Sequence, residues 1–158
     1  MLFRSRGRFR LKQNRLVDSC LFWYILQMRA PPPNDIKPVV WLGSSKEDLS
    51  EFPRDVRTMF GFALHEAQLG RKHPDAKPLK GFGGAGVLEI MARSDGDAFR
   101  AVYTVKLADR IYVLHAFQKK SKSGIATPKP EIDLIKARLK TAVADHAVWT
   151  TFREREPK

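Results

Sequence analysis

Cationic side chains recur on neighbouring predicted strands in the second half of the chain. Arg93, Arg100 and Lys119 lie on these strands or at their ends, with Lys80 before them and Lys120 after them. Preorganised cations stabilise the negative charge that grows on phosphate oxygens in the transition state of phosphodiester cleavage. Cleavage of RNA without a metal also needs a base for the 2′-hydroxyl group and an acid for the leaving oxygen. These residue types therefore favour chemistry on an RNA backbone.

Two kinds of residue in this set could act as the base. His115 carries an imidazole, which exchanges a proton readily near neutral pH. A lysine among other cations is the alternative, because neighbouring positive charge favours its neutral form. Side chains alternate along a strand, so we expect Arg100 on phosphate and Tyr103 in the core, and we expect His115 and Lys119 on one face. The predicted catalytic residues are Arg100, His115, Lys119 and Lys80.

A second set of residues is expected to hold the RNA. Residues 81–86 (GFGGAG) contain Phe82, whose ring could stack on a base. A nucleotide-binding loop would follow a strand, open a helix and contain Gly-Lys-Ser/Thr, and this segment does none of these. We interpret it as a flexible connection at the rim of the site. The predicted RNA-binding residues are Lys120, Lys122, Arg93, Phe82 and Lys77.

A structural role is the alternative for the same cations. Glu89 could form an ion pair with Arg100 across the predicted hairpin, and this pair would compete with phosphate binding. Arg93 could be an ordinary solvated residue, because charged side chains are usually exposed. Phe117 is expected in the core although it shares strand parity with two candidate residues.

A short strand followed by two helices is predicted where the regular part of the chain begins. Residues 39–42 form an apolar run that suits a buried strand. Ser44 or Ser45 can cap a first helix, and Pro53 suits the first turn of a second one. In that second helix, apolar residues recur at three- and four-residue steps over residues 56–67, which predicts one apolar stripe.

Three antiparallel strands and a helix are predicted for the second half. Strand-like alternation covers residues 87–92, 99–107 and 111–117, with turn residues between them. Thr127 can cap a helix that extends to about Asp145. The fold class expected is therefore α+β: a small antiparallel, mixed-edge sheet of about four strands, an N-terminal helical hairpin and a C-terminal helix, with the helices on one face of the sheet.

The first 36 residues differ from the rest in composition. Residues 1–30 contain seven basic residues and one acidic residue, and therefore carry half of the net charge of +12. The apolar run at residues 20–26 is far shorter than the ~20 residues that a membrane span needs. We expect a basic extension over residues 1–36 that lies outside the fold, a folded domain over 37–147 and a charged tail over 148–158, and translation could begin at Met28. The alternative for the extension is a short basic amphipathic arm that touches RNA or a membrane.

Charge and cysteine content limit the classes of protein. The net charge of +12 favours a polyanionic partner such as nucleic acid. The single Cys20 excludes an internal disulfide and a cysteine-based zinc site, and the four histidines lack the spacing of zinc ligands. We therefore predict no metal, no cofactor and no membrane partner, and a location in the cytoplasm.

Residues 80–140 resemble the RelE/ParE toxin superfamily, most closely its phage-derived, HigB-like branch. Order and spacing carry the resemblance, which covers roughly residues 37–145. The matching segments are residues 77–81 (KPLKG), 88–89 (LE), 99–103 (FRAVY), 115–120 (HAFQKK) and 127–128 (TP), followed by a helix with Lys136 and Arg138.

The resemblance implies the toxin of a type II toxin–antitoxin system. Such a toxin is a cytoplasmic endoribonuclease that cleaves mRNA without metal, often on the ribosome, and a small antitoxin neutralises it. The implied partners are mRNA, the ribosome and an antitoxin, which we expect to be a helix-turn-helix protein. Two other classes stay open: a ParE-like inhibitor of DNA gyrase or topoisomerase, and a non-catalytic RNA-binding phage accessory protein. His115 and the cations favour cleavage.

Overall fold

A five-stranded mixed sheet organises the computed structural model, which describes residues 36–107, 109–119 and 126–155. The strands are β1 (Val39–Trp41), β2 (Lys77–Pro78), β3 (Val87–Ser94), β4 (Asp97–Thr104) and β5 (Ile111–Lys119). Their spatial order is β1-β5-β4-β3-β2, and only β1 pairs with its neighbour in parallel. The α+β class is confirmed, with one strand more than expected because the edge strand β2 is too short to show a pattern.

Within the described residues, three helices accompany the sheet: α1 (Ser45–Ser50), α2 (Arg54–Gln68) and α3 (Lys129–Arg155). Helix α2 ends as predicted at Gly70, whose φ of 75° is accessible without strain only to glycine. The N–H of Gly70 donates to the carbonyl of Ala67, and that of Arg71 donates to the carbonyl of Glu66. These two bonds form a Schellman cap, which satisfies carbonyl groups at the end of the helix.

Helix α3 continues about ten residues beyond the expected end near Asp145 and occupies residues 148–155 of the predicted tail. Contacts to the β4–β5 connection hold this added part. The Arg110 guanidinium lies 3.7 Å from the centre of the Trp149 ring, and Arg153 pairs with Asp109 at 3.1 Å. Such long-range contacts leave no signal in helical periodicity. No helix in the described part of the chain combines the length and apolar character needed to cross a bilayer.

The helices cover both faces of the sheet, so the expectation that they share one face is wrong. On the face that we call the α2 face, Phe60 and Leu64 pack with Ile90 and Tyr103. On the opposite face, the α3 face, helix α3 buries an apolar stripe against the sheet. The main members of that second core are Val87, Val102, Tyr112, Leu114, Phe117, Ile135 and Ala142. Strands β4 and β5 are consequently buried on both sides.

The predicted extension over residues 1–36 lies outside the described residues except for residue 36, and residues 156–158 of the predicted tail also lie outside them. The division into an extension, a domain and a tail therefore stays a prediction.

Replacing Tyr103 with phenylalanine is expected to leave stability near pH 8 unchanged or slightly increased. The side chain is buried, and its hydroxyl has no hydrogen-bond partner among the described residues. Burial raises the pKa of Tyr103 to about 12, whereas an unfolded tyrosine has a pKa of about 10. The stabilisation by its neutral form is therefore present below pH ~10 and lost as the pH rises towards 12. Tyr103→Phe should remove this part of the loss of stability at alkaline pH. The free energy of unfolding, measured with urea at several pH values, checks this prediction.

Tyr112→Phe is the matched control. The Tyr112 hydroxyl donates to Asp145 Oδ2 at 2.7 Å, so its removal should cost about 1 kcal/mol at pH 8. Burial, reinforced by the Asp145 carboxylate, also raises the pKa of Tyr112, so some alkaline dependence should remain in Tyr103→Phe. Equal losses in the two variants at pH 8 would contradict this prediction.

Candidate functional site

Strand pairing places three predicted cations on the α3 face. Arg93 lies opposite Ala98, and Ala98 lies opposite Lys119. In the adjacent row, Arg100 lies opposite Phe117. Residues that are directly opposite one another in a sheet project to the same side. The expected separation of Arg100 from Tyr103, which lies in the core of the α2 face, is therefore confirmed.

A β-bulge brings His115 to this face. Tyr103 pairs with Val113 and Val102 pairs with His115, so Leu114 is an extra residue between the two pairs. In a regular strand, Val113 and His115 would face the same side. The bulge instead leaves Val113 in the core of the α2 face and directs His115 to the α3 face.

After the bulge, regular alternation from His115 to Lys119 keeps these two side chains on the same face, as the shared strand parity predicted. Phe117 lies between them on the same face. It is buried and stacks on the His115 ring with centroids 4.9 Å apart. The core position expected for Phe117 and the shared face of the two candidates are therefore compatible.

Arg100 takes part in a buried polar cluster that joins β3, β4 and the start of α3. Its side chain is 2% exposed, and Nη1 donates to Glu89 Oε1 and, at 2.8 Å, to Thr127 Oγ1. The Thr127 hydroxyl donates in turn to Glu89 Oε1 at 3.0 Å. The structure thus contains the Glu89 ion pair that was the alternative for Arg100. The guanidinium of Arg100 is not exposed at the surface, where it could meet a phosphate group. A catalytic role for Arg100 therefore stays a prediction.

His115 is held between a carboxylate and a guanidinium group. Its Nε2 lies 2.6 Å from Glu131 Oε2, and its Nδ1 lies 3.2 Å from Arg138 Nη1. Because arginine can only donate, Nδ1 must be the acceptor, and Nε2 carries the hydrogen that it donates to Glu131. In this arrangement His115 donates from one ring nitrogen and accepts at the other. Its Nδ1 can take a proton from a substrate only after Arg138 has moved away.

Arg138 links α3 to the bulge and to the start of α1. Its Nη1 donates to the carbonyl of Leu114, the bulged residue, at 2.9 Å, and its Nη2 donates to Ser44 Oγ at 3.1 Å. Ser44 donates to Asp48 Oδ2 at 2.8 Å. The guanidinium is thus held by groups from two elements, β5 and the start of α1.

The Gly43→Ala variant is expected to displace Arg138 and to destabilise the fold. A Cβ at residue 43 would lie 2.6 Å from Arg138 Nη2, and the φ of Gly43 is 55°. The backbone conformation alone costs a non-glycine residue about 1–2 kcal/mol. Gly70→Ala is the matched control, because Gly70 also has a positive φ but its added Cβ would meet no atom within 4 Å. Urea unfolding should show the larger loss for Gly43→Ala, and equal losses would mean that Arg138 adapts without cost.

The other predicted residues lie at the β2 edge of the sheet, at the ends of β3 and β5, or outside the described residues. Lys77 is exposed in β2, opposite Glu89, and Lys80 is exposed just after that strand. Lys119 is buried at the end of β5, whereas Arg93 is exposed. Lys120 and Lys122 lie in the stretch of residues 120–125, outside the described residues. Lys77 and Arg93 thus share the α3 face with His115, and no contact within the described part of the chain brings Lys80 to them.

Phe82 is in the core and not at the surface, where base stacking would need it. Its ring is 8% exposed and belongs to the core of the α3 face. A turn closed by the bond from Ala85 N–H to the Phe82 carbonyl returns the glycine-rich segment towards β3. The expectation of an exposed stacking ring is corrected accordingly.

Sequence reasoning missed Glu131 as a site residue and gave Arg138 no role beyond the resemblance. The two residues flank Ile135 on one face of α3, at spacings of four and three residues. Charged residues in line with a buried isoleucine were the available signal, because such positions usually need a polar partner. Within the described residues, no group of three or more His, Cys, Asp or Glu side chains could hold a metal ion.

Comparison with known proteins identifies a family. Residues 47–140 match the model of the family described as phage-derived protein Gp49-like (DUF891). This match includes α2, most of the sheet and the first part of α3. No curated protein matches the chain. Because the match covers more than half of the chain, the protein belongs to the phage-derived Gp49-like family, which is RelE-like and toxin-like.

Proposed function

We propose that this protein is the toxin of a type II toxin–antitoxin system and acts as a metal-independent mRNA endoribonuclease. Membership of a RelE-like, toxin-like phage family supports the first part. The single observation that carries the second part is the contact of buried His115 with the half-buried Glu131 and Arg138, on the sheet face that also bears the predicted cations. A histidine oriented by a carboxylate is a common arrangement for proton transfer.

The proposed reaction begins when the RNA phosphate draws Arg138 away from His115. The freed Nδ1 accepts the proton of the 2′-hydroxyl group, whose oxygen attacks phosphorus. The bond from phosphorus to the 5′-oxygen breaks, and Lys119 gives this leaving oxygen a proton. Glu131 stabilises the charged His115, while Arg138 and Arg100 balance the charge on the phosphate oxygens. The products would be a 2′,3′-cyclic phosphate end and a 5′-hydroxyl end.

Partners and location follow from the same proposal. The substrate would be mRNA, bound at the ribosome, and a cytoplasmic helix-turn-helix antitoxin encoded beside the toxin gene would neutralise it. The alternative of a ParE-like gyrase inhibitor predicts a different target. Nothing in the geometry of the described residues favours it, because inhibition by protein binding needs no histidine between a carboxylate and a guanidinium group.

Brief induction of the full chain in bacteria tests this proposal. We expect growth arrest and new mRNA 5′ ends by primer extension, and these ends should carry 5′-hydroxyl groups. The purified protein should cleave RNA, alone or on ribosomes, with its rate unchanged after chelator treatment of the protein itself. Intact mRNA together with accumulated cleaved gyrase–DNA complexes would overturn the nuclease proposal and favour the inhibitor.

A further inference from the structure

A depression on the α3 face lies at the β2 edge of the sheet, beside the candidate site. Its volume is about 200 Å³, and it is lined by Asp75, Lys77, Glu89 and Met91. Lys77 lies opposite Glu89, and Met91 is two residues further along β3 on the same side. Asp75 precedes Lys77 by two residues. Three charged groups and one thioether therefore surround one concave surface.

The carboxylate groups leave acceptor positions available in the depression. Arg100 and Thr127 both bind Oε1 of Glu89, and Oε2 receives no hydrogen bond from the described residues. The Asp75 side chain is 65% exposed, and its nearest cation-forming partner is His73 Nδ1 at 3.9 Å. Lys77 is exposed and supplies donors only. The surface thus offers carboxylate acceptors, one ammonium donor and the apolar side of Met91.

Among the RNA bases, guanine matches this set best. Its Watson–Crick edge carries two neighbouring donors, N1–H and N2–H, beside one acceptor, O6. A carboxylate can accept both donors at once while a lysine donates to the oxygen. Adenine, cytosine and uracil each present an acceptor where guanine presents its central N1–H, or lack its second donor. Recognition of splayed bases through these edges is the usual way in which proteins read single-stranded RNA.

We propose that this depression is a guanine-binding subsite for the RNA substrate, an inference that rests on the proposed function. Glu89 and His115 lie in one row of the sheet, two strands apart, with Val102 between them. Neighbouring strands are about 4.8 Å apart, so their backbones are separated by roughly 10 Å. A base bound beside Glu89 would therefore place its own nucleotide, or the next one, near His115. A phosphate group fits less well, because two carboxylates would repel it.

Titration of the full chain with nucleosides tests the subsite without requiring cleavage. The sequence has four methionines, so the methyl signal of Met91 can be assigned with a Met91→Leu variant. Guanosine should shift this signal, and adenosine should not. Inosine lacks the exocyclic amino group and should bind at least about fivefold more weakly, the lower limit for one bidentate contact to a base.

Asp75→Asn and Asp55→Asn form the variant and its matched control. Asp75→Asn turns an acceptor into a mixed donor and acceptor, and it should weaken guanosine binding by at least about fivefold. Asp55 is exposed on α2 and should have no effect. The preference for cleaving RNA beside guanine should also be lost in Asp75→Asn and kept in Asp55→Asn.

The outcomes separate this inference from the proposed function. Guanosine binding at Met91 without any RNA cleavage would support the subsite and overturn the nuclease. RNA cleavage with no shift of Met91, or with equal shifts by guanosine and adenosine, would overturn the subsite and leave the nuclease intact. A shift caused by inorganic phosphate and not by guanosine would also overturn it.

Discussion

Replacing Arg100 with methionine is expected to destabilise the fold by about 3–5 kcal/mol, because it leaves the Glu89 carboxylate largely buried without its cation. The change in the free energy of unfolding can be measured with urea. Arg93→Met is the matched control, because Arg93 is exposed on the same face and its removal should change stability by no more than ~0.5 kcal/mol. A second change, Glu89→Leu, should recover part of the loss in Arg100→Met.

Cleavage by the Arg100→Met protein must be expressed per folded molecule. A rate that remains normal on this basis would make Arg100 a structural partner of Glu89 alone. Wild-type stability together with a rate lowered by ~10²–10³, the usual cost of one lost transition-state contact, would instead identify it as a phosphate-binding residue. The burial of Arg100 and its ion pair with Glu89 favour the large loss of stability.

The His115→Gln variant is expected to lower the cleavage rate by about 10²–10⁴, the contribution typical of a general base. The glutamine amide can still donate to Glu131, so stability should fall by only about 1 kcal/mol. Gln118→Ala, an exposed change in the same strand, should leave both quantities unchanged. Single-turnover rates on RNA, measured across pH, check this prediction.

The pH dependence separates the two candidates for the base. If His115 is the base, its protonation at acidic pH stops the reaction, and His115→Gln should lose the acidic limb of the pH–rate profile. Persistence of that limb in His115→Gln would assign the role to a lysine. Unchanged cleavage by the variant would remove His115 from the site altogether.

Much of the fold could be predicted because its local signals are strong. Alternation along residues 87–117 and the apolar stripe of α2 identified the elements, and the Gly70 cap ended the helix where expected. The use of both sheet faces was missed, because an apolar stripe shows which side of a helix is buried and not which face of a sheet it meets. The nearly continuous apolar run from Ile111 to Phe117 was the available indication, since it is typical of a strand that is covered on both sides.

The sequence predicted which strands carry the site residues much better than it predicted the contacts between their side chains. Strand parity correctly separated Arg100 from Tyr103, and Glu89 was recognised as an alternative partner. The contacts of His115 with Glu131 and Arg138 join residues 16 and 23 positions apart across two elements. Neither spacing follows from the period of a helix or of a strand. The sequence could therefore place Glu131 and Arg138 on the buried face of their helix but could not place them beside His115.

The bulge at Leu114 has a consequence in genetic terms. Because Leu114 is the one residue from Tyr112 to Lys119 that has no opposite partner in β4, loss of its codon would restore regular alternation and keep every other side chain on its present face. Loss of a codon between Ala116 and Gln118 would invert the faces of the residues that follow. Alternation along β5 is therefore regular on each side of Leu114 and shifts by one residue across it. That insertion also supplies the carbonyl that binds Arg138.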